Sequence, residues 1–482
     1  MAASQSRTRP NVVLIVADDL GYGDLSCYGN TILSTPSIDR LAAEGVRCSQ
    51  HYSGAPICAP ARAALLTGRY HHRCGVLSVE SNRGLDRIAL RERTIGDVFA
   101  AAGYRTGYVG KWHSGVHDRR YHPNRRGFEE FAGFLSGIMD YWDWFLDYNG
   151  SSRRADGRYQ TDVFTAEAVD FIRRRGAAPG AAARQPFLLV VAYHAPHAPL
   201  QAPEESCAPF RRRGDLNDAL ATMYGMVAHM DRGIGQILDT LQAAGCGDDT
   251  VVLVTSDNGP HLGPERLGPE RHGARRFSME RFNGPFRGQK QDVLEGGIRV
   301  PAIVRWPDGL PAGAACDEMI HFCDWLPTLA AAAGVVPDGE PLDGCDQLLP
   351  LRGTVPAGAA PRFWQFNRYD PVPGCNLAMR DGPWKLYWPR IPEAMVKLQE
   401  DNVAVRELMA RPHYEMEVRN PPVERTLSAP GEPELYHIPD DPSEARNLAA
   451  AHPDRAARMR LAAENWFAEV EAERRQIAAR SS

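Results

Sequence analysis

An unbroken apolar run at residues 12–17, Val-Val-Leu-Ile-Val-Ala, stops abruptly at Asp18-Asp19. Such a short, β-branched run reads as a strand. With no polar face, the strand must be covered on both sides. The runs at 187–193 and 250–256 share this two-faced apolar character, and 106–110 is a further strand. Helical patterns lie between them. Residues 37–46 put Ile38, Leu41 and Ala42 on one face, 94–102 form a second helix, and Val227, Met230, Ile234, Ile237, Leu238 and Leu241 keep helical spacing. Doubly buried strands alternating with helices predict an α/β fold: a large, mostly parallel sheet sandwiched by helices.

The pattern changes after about residue 355. Short strands are expected at 363–366, 377–380, 384–387 and 434–436, with Asp381-Gly382 as a hairpin turn. A last helix is expected from Pro453 to about Ala479, with Met459, Trp466, Phe467, Val470 and Ile477 inward. This divides the chain into a catalytic α/β domain at 1–355 and a smaller C-terminal α+β subdomain at 356–482. Residues 176–184 and 261–284 read as loops, the second carrying Gly-Pro-Glu-Arg twice and expected to wall the site.

The chain has 482 residues, a formal net charge of −5 and 43% hydrophobic residues. That mild acidity gives no footprint for a nucleic-acid binder, and no apolar run is long enough to cross a bilayer. The ten cysteines form no C-x-x-C pair, and the opening decapeptide lacks the features of a secretory signal. Reduced thiols in a cytoplasmic protein are expected. Of 55 basic residues only four are lysine, at 111, 290, 385 and 397. An ammonium and a guanidinium are not interchangeable, so each lysine is a place to look for function.

The ends of the strands carry the chemistry. Asp18-Asp19 close the first strand, and Asp257-Asn258 follow another in Thr255-Ser-Asp-Asn-Gly259. In an open α/β sheet, ligands bind at that edge. Two such pairs brought together form an all-oxygen pocket suited to Ca²⁺ or Mg²⁺ rather than Zn²⁺. Alone, each pair reads as a turn or a helix cap. Lys111 and His113 are two apart after the 106–110 strand and would face the same side of an extended segment. His194 and His197 follow the 187–193 strand in Tyr-His-Ala-Pro-His-Ala-Pro, where the prolines are expected to hold the loop extended. One of the two could serve as packing. Cys58-Ala-Pro-Ala-Arg62 precedes a helix, and a thiolate there would be stabilised by the guanidinium and the helix terminus.

These motifs closely resemble those of the formylglycine-dependent (type I) sulfatases of the alkaline phosphatase superfamily. The matching stretches run nearly end to end: 11–24, 35–41, Cys58 to Arg69, Gly110-Lys-Trp-His113, Ala195-Pro-His197, Thr255 to Gly259, 295–301, 324–328, 380–386 and 434–436. The C-x-P-x-R element with its downstream Leu-Thr-Gly-Arg is the most specific part. The resemblance replaces the thiol reading: Cys58 would be converted by a formylglycine-generating enzyme to Cα-formylglycine, whose hydrate attacks sulfur. It implies a calcium site (Mg²⁺ or Mn²⁺ as alternatives) built from Asp18, Asp19, Asp257, Asn258 and the modified Cys58. It implies Arg62 holding the nucleophile, Lys111 and Lys290 binding sulfate, and His113 and His197 moving protons. The substrate would be a small sulfate ester, an aryl sulfate or a sulfated carbohydrate.

Two departures stand out. Ala61 occupies the position before the motif arginine where the family usually has Ser or Thr. Lys290 lies in Arg-Gly-Gln-Lys-Gln-Asp where Gly-Lys-Gly is common, and is assigned from its spacing to Glu295-Gly-Gly. The near rival is a formylglycine phosphonate monoester or phosphodiester hydrolase, which shares C-x-P-x-R; the two lysines and Ala-Pro-His favour sulfate. A catalytically silent binding protein on the same scaffold is the further alternative. The aromatic stretch 139–145 has two readings, rings stacking on a sugar or the core of an inserted helix.

Overall fold

The computed structural model describes residues 9–116, 118–176, 185–265, 276–354, 360–410 and 418–481. Its strands in chain order are β1 (Asn11–Ala17), β2 (Val46–Cys48), β3 (His51–Tyr52), β4 (Arg105–Lys111), β5 (Glu130–Phe134), β6 (Phe145–Tyr148), β7 (Ser151–Arg154), β8 (Phe187–Ala192) and β9 (Thr250–Ser256). They continue with β10 (Ala302–Arg305), β11 (Ala314–Cys316), β12 (Ile320–His321), β13 (Arg362–Gln365), β14 (Leu377–Asp381), β15 (Trp384–Trp388) and β16 (Glu434–His437). Ten of them form one sheet in the order β11-β2-β10-β9-β1-β8-β4-β5-β6-β7. Its centre is parallel: β1 pairs with β8 and β9, and β4 with β8 and β5. β10 and the β5–β6–β7 meander bring in antiparallel pairs.

β1 shows why the apolar run dictates this architecture. Val12, Leu14 and Val16 enter one core cluster, and Val13, Ile15 and Ala17 enter another on the opposite face. One face is covered by helices α1 (Pro36–Glu44), α4 (Gln160–Gly176), α5 (Glu204–Arg211) and α6 (Asp218–Ala243). Residues of α2 (Cys58–Thr67), α3 (Ile95–Ala101) and the helices Trp325–Ala332 and Pro453–Ser481 pack on the other face. Thr94 caps α3 by accepting from the Asp97 N–H, and Asn217 caps α6 by accepting from the N–H groups of Ala219 and Leu220. The expected α/β class is therefore the observed one.

A separate four-stranded antiparallel sheet, β13-β14-β15-β16, follows, with Asp381-Gly382 turning the β14–β15 hairpin. Met459, Trp466, Phe467 and Val470 of the last helix are buried. Residues 355–359, where the pattern changes, lie outside the described residues, as do 177–184 and 266–275 of the two expected loops.

The structure revises three sequence expectations. The aromatic stretch 139–145 is not a helix: Met139, Tyr141 and Trp144 are buried in the core beside α4 and α6, Trp142 is exposed, and β6 begins at Phe145. The loop 194–199 turns rather than running extended, with the His197 N–H donating to His194 O (2.9 Å) and both X–Pro bonds cis. His113 leaves the extended conformation, at φ 49°, so strand alternation is not what relates it to Lys111.

Candidate active site

β1, β9, β8 and β4 are neighbours, and their carboxyl ends lie along one edge of the sheet. Each ends in a residue with chemistry. β1 delivers Asp18 and Asp19, β9 delivers Asp257 and Asn258, β4 ends in Lys111, and β8 leads to His194 and His197. The Asp19 N–H donates to Asp257 Oδ1 (3.2 Å), and Asn258 Nδ2 donates to Asp19 Oδ1 (2.7 Å), locking the two acidic pairs together. Asp19 adopts φ 65°, a left-handed conformation uncommon for a residue with a Cβ.

Cys58 is the first residue of α2. Every residue of that helix is buried, which its many alanines permit, and Pro60 falls in the first turn, where its missing N–H costs no intrahelical bond. Arg62, one turn on, shares the face of Cys58. Its guanidinium donates from Nε to Asp257 Oδ2 (3.0 Å) and from Nη1 to Lys111 O (3.0 Å), with Nη2 2.8 Å from Asp257 and 3.7 Å from Asp18. Ala61, the departure from the family pattern, packs within the core.

Two ammonium groups complete the cluster. Lys111 Nζ donates to Asp18 Oδ2 (2.6 Å), and Lys290 Nζ lies 2.7 Å from Asp19 Oδ1. His197 Nε2 is 3.8 Å from Asp19 Oδ2. Its Nδ1 lies 2.6 Å from Ala198 O, a carbonyl that can only accept, so the Nδ1–H tautomer leaves Nε2 facing the site. His113 sits against Gly137. A Cβ at that glycine would lie 2.5 Å from the imidazole Cε1, so the position requires glycine.

The electrostatics follow from burying so many charges. Burial, then Asp18 beside it, pushes Asp257 up to about 6 despite Arg62 and Lys111. Burial would raise Asp19 too, but Lys290 and His197 hold it well below the usual carboxylate range. Burial and Lys290 lower His197 to about 3. Burial, Lys111 and Arg62 push His113 far down as well. Both imidazoles are neutral in the free site. Burial also raises the Cys58 thiol, against the pull of the two lysines, so position 58 is not a preformed thiolate and the thiol-nucleophile reading loses its basis.

Asp18, Asp19, Asp257 and Asn258 offer an all-oxygen donor set. Asp18 Oδ1 and Asn258 Oδ1 are buried without a hydrogen-bond partner. Orphaned oxygens beside a carboxyl pushed up to about 6 mark a place short of positive charge, which a hard divalent cation fits. Ligand atoms of Asp18, Cys58 and Asp257 lie within 4.8 Å of one another.

A cavity of about 260 Å³ opens onto this cluster. Asp19, Cys58, His113, His197 and Lys290 line it, while Asp18, Arg62, Lys111, Asp257 and Asn258 are buried and do not. The 261–284 loop contributes His261, Met279 and Arg281, as expected of a wall. Sequence reading missed Gln291 and Arg368. Gln291 (φ 77°) follows Lys290, and Arg368 comes from the loop after β13, held by Glu80 (2.8 Å). Neither carried a periodic or motif signal. His194 was left open. It stacks between Tyr141 (centroids 4.7 Å apart, planes 10°) and His197 (5.2 Å, 28°), off the cavity wall.

Comparison with known proteins agrees with this geometry. The sulfatase family model matches residues 10–335. The chain is 33% identical to steryl-sulfatase of Rattus norvegicus, over 73% of this chain and 71% of that protein. It is 34% identical to N-acetylgalactosamine-6-sulfatase of Homo sapiens, over 72% and 67%. Among solved structures, Ps i-CgsB in complex with k-i-k-neocarrahexaose superposes with a TM-score of 0.75 at 29% identity, over 95% of this chain and 92% of that one.

Proposed function

The chain belongs to the sulfatase family and is a sulfuric ester hydrolase; from that premise we propose that Cys58 is converted to Cα-formylglycine and works beside a calcium ion held by Asp18, Asp19, Asp257 and Asn258. The modified residue supplies a hydrated aldehyde as nucleophile, and the cation neutralises charge on the sulfate oxygens. Mg²⁺ or Mn²⁺ would satisfy the same oxygen ligands. The observation that carries this reading is the convergence of Asp18 and Asp257 on Cys58 at the start of a fully buried helix, with Asp19 and Asn258 hydrogen-bonded into the same acidic cluster.

The protein's own groups account for the rest. Arg62, fixed by Asp257 and Lys111 O, places a permanent positive charge at position 58. Lys111 and Lys290 add two compact charges where the sulfate oxygens gain negative charge in the transition state. His197 is neutral in the free site because of burial and Lys290. A sulfate monoester brings its negative charge between the lysines and lifts that repulsion. His197 then gains a proton at Nε2 and hands it to the departing alcohol. His113, neutral because of burial, Lys111 and Arg62, accepts the proton that leaves position 58 when inorganic sulfate departs.

The test is mass spectrometry of the Cys58 peptide from active protein, with 4-nitrophenyl sulfate, 4-nitrophenyl phosphate and a phenylphosphonate ester assayed in parallel. An aldehyde at position 58 and preference for the sulfate are expected. An unmodified thiol in fully active protein, or clear preference for a phosphorus ester, overturns the reading.

A further inference from the structure

His197 hands a proton to the departing alcohol only if its Nε2 stays within hydrogen-bond reach of that oxygen. Two contacts hold the ring. The Nδ1–H bond to Ala198 O (2.6 Å) decides which edge of it faces the site. One bond still leaves the ring free to swing about it. The second contact is on the ring's face, where His194 stacks with centroids 5.2 Å apart and planes at 28°.

Behind His194 the stack continues. Tyr141 lies 4.7 Å from it at 10°, and Tyr159 lies 5.4 Å from Tyr141 at 19°. Phe134 meets His194 edge-on (5.2 Å, 72°). Tyr159, Tyr141 and His194 are buried, and of the four stacked rings only His197 lines the cavity. A column packed into the core has little room to shift, so it ends in a fixed face for the His197 imidazole.

Hydrogen bonds tie the column down. Tyr141 Oη donates to His197 O (2.9 Å), the Tyr141 N–H donates to Gln201 Oε1 (2.9 Å), and Tyr159 Oη donates to Gln201 O (2.7 Å). Gln160 Nε2 donates to Asp140 O (3.2 Å), which turns Gln160 Oε1 towards His194 Nδ1 (3.2 Å). That amide oxygen can only accept, so His194 carries its proton on Nδ1. Its Nε2 is a bare acceptor, buried and without a hydrogen-bond partner among the described residues. The ring therefore contributes through its faces rather than through a second hydrogen bond.

We infer that His194 is a positioning residue: stacked between Tyr141 and His197, it holds the His197 imidazole in the orientation from which Nε2 reaches the leaving oxygen. Tyr141 supports it twice, through its ring behind His194 and its hydroxyl on His197 O. This rests on the proton-donor reading of His197 above.

The test compares leaving groups. 4-Nitrophenolate departs without a proton, whereas phenolate, the stronger base, needs one, so losing the donor costs phenyl sulfate more. His197→Ala sets the scale: kcat/KM for phenyl sulfate should fall about 10²-fold or more, and that for 4-nitrophenyl sulfate much less. His194→Ala should show the same split, falling about 10-fold further on phenyl sulfate than on 4-nitrophenyl sulfate, because misplacing a reacting group by an ångström is costly. Loss of folded protein alone lowers both esters by one factor and leaves their ratio unchanged. His194→Phe keeps a ring in the column and should recover most of the ratio. Tyr141→Phe keeps the column, removes only the hydroxyl and should move the ratio a few-fold in the same direction. If His194→Ala does not fold, Tyr141→Phe carries the test, and an unchanged ratio there overturns the inference. So does an unchanged ratio in folded His194→Ala, or a His194→Phe protein no better than the alanine variant. That last result would point to a role through an imidazole nitrogen, since ligand atoms of Asp18, His194 and His197 lie within 4.8 Å of one another. If His197→Ala itself shows no split, the donor reading fails and the inference with it. If His197→Ala shows the split and His194→Ala does not, only the inference fails.

Discussion

Two buried lysine–carboxylate clusters lie in this molecule, and they do different things. At the sheet edge, Lys111 and Lys290 hold Asp18 and Asp19. Where the small sheet meets the large domain, Lys385 sits between Glu295 (3.0 Å) and Glu444 (2.9 Å), all three inaccessible to solvent. In that second cluster all but one of the carboxylate oxygens are hydrogen-bonded; Glu444 Oε1 has only its ion pair with Lys385, and Glu444 itself adopts φ 54°. Glu295 Oε2 accepts from Tyr52 Oη (2.7 Å) and Arg299 (3.2 Å), and Glu444 Oε2 accepts from the Glu295 N–H (2.7 Å). At the sheet edge Asp18 Oδ1 and Asn258 Oδ1 have no partner, and Asp19, His113 and Gln291 adopt φ of 65°, 49° and 77°. Burial and ion pairing are common to both clusters. The cavity onto which Asp19 and Lys290 open beside Cys58 distinguishes the one proposed to react.

The largest effect that would break this comparison is on turnover. Lys290→Arg keeps a charge near Asp19 but replaces a compact ammonium with a planar fork. It should lower kcat on 4-nitrophenyl sulfate about 10²–10³-fold, and Lys111→Arg should do the same. Thermal midpoints should change little in the Lys290 variant, because Asp19 keeps Asn258 and the proposed cation. Wild-type turnover in either variant would remove that lysine from the mechanism.

Lys385→Met should show the opposite split. It leaves Glu295 and Glu444 buried without their shared cation, a loss of about 3–5 kcal/mol in stability. Denaturant unfolding measures it, and kcat of the protein that remains folded should stay within a few-fold of wild type. Adding Glu295→Gln and Glu444→Gln should restore much of the lost stability, since no uncompensated charge is then buried. A Lys385→Met protein as stable as wild type would mean that the cluster contributes nothing to holding the small sheet in place.

What could be read in advance follows the same division. β1, β8 and β9 were legible because doubly buried strands leave no charged residue in their sequence, and the acidic pairs were legible because they end those strands. β2, β10 and β11 were not, since three or four residues show no period. Lys111 and His113 were placed together through strand alternation. The structure keeps them neighbours by a different route, a left-handed residue packed against Gly137. Arg368 and Gln291 reach the cavity from loops whose positions depend on tertiary packing alone. The aromatic stretch 139–145 had two readings because rings suit a core as well as a sugar, and it is the neighbouring helices that bury Met139, Tyr141 and Trp144. The C-terminal hairpin was marked by Asp381-Gly382, yet nothing in Trp-Lys-Leu showed that Lys385 would be buried between two glutamates.

The smallest effect concerns acid. His51 precedes Tyr52 of the Lys385 cluster and is fully buried. Trp325 Nε1 donates to its Nε2 (2.8 Å), so that nitrogen must be unprotonated, and burial lowers its pKa to about 3. An unfolded His takes a proton below about 6.5, whereas the folded one refuses it until about 3. The unfolded state therefore binds more protons throughout that window, and stability falls as pH drops from 6.5 towards 3. Each such group removes about 1.4 kcal/mol per pH unit once well inside the window. Glu295, held at about 2 by Lys385, Arg380 and Arg299 against the effect of burial, adds a loss of the same sign below its ordinary 4.5. His51→Leu should flatten the fall between pH 6 and 4.5 without abolishing it, because buried His71 (about 3) and His72 (about 4) respond in the same direction. The variant should also start slightly less stable at pH 7, having lost the acceptor for Trp325. Unfolding free energies of the two proteins across that range decide the point: parallel curves would show that the charge on His51 plays no part in acid sensitivity and would shift its origin to the histidines of the reacting edge.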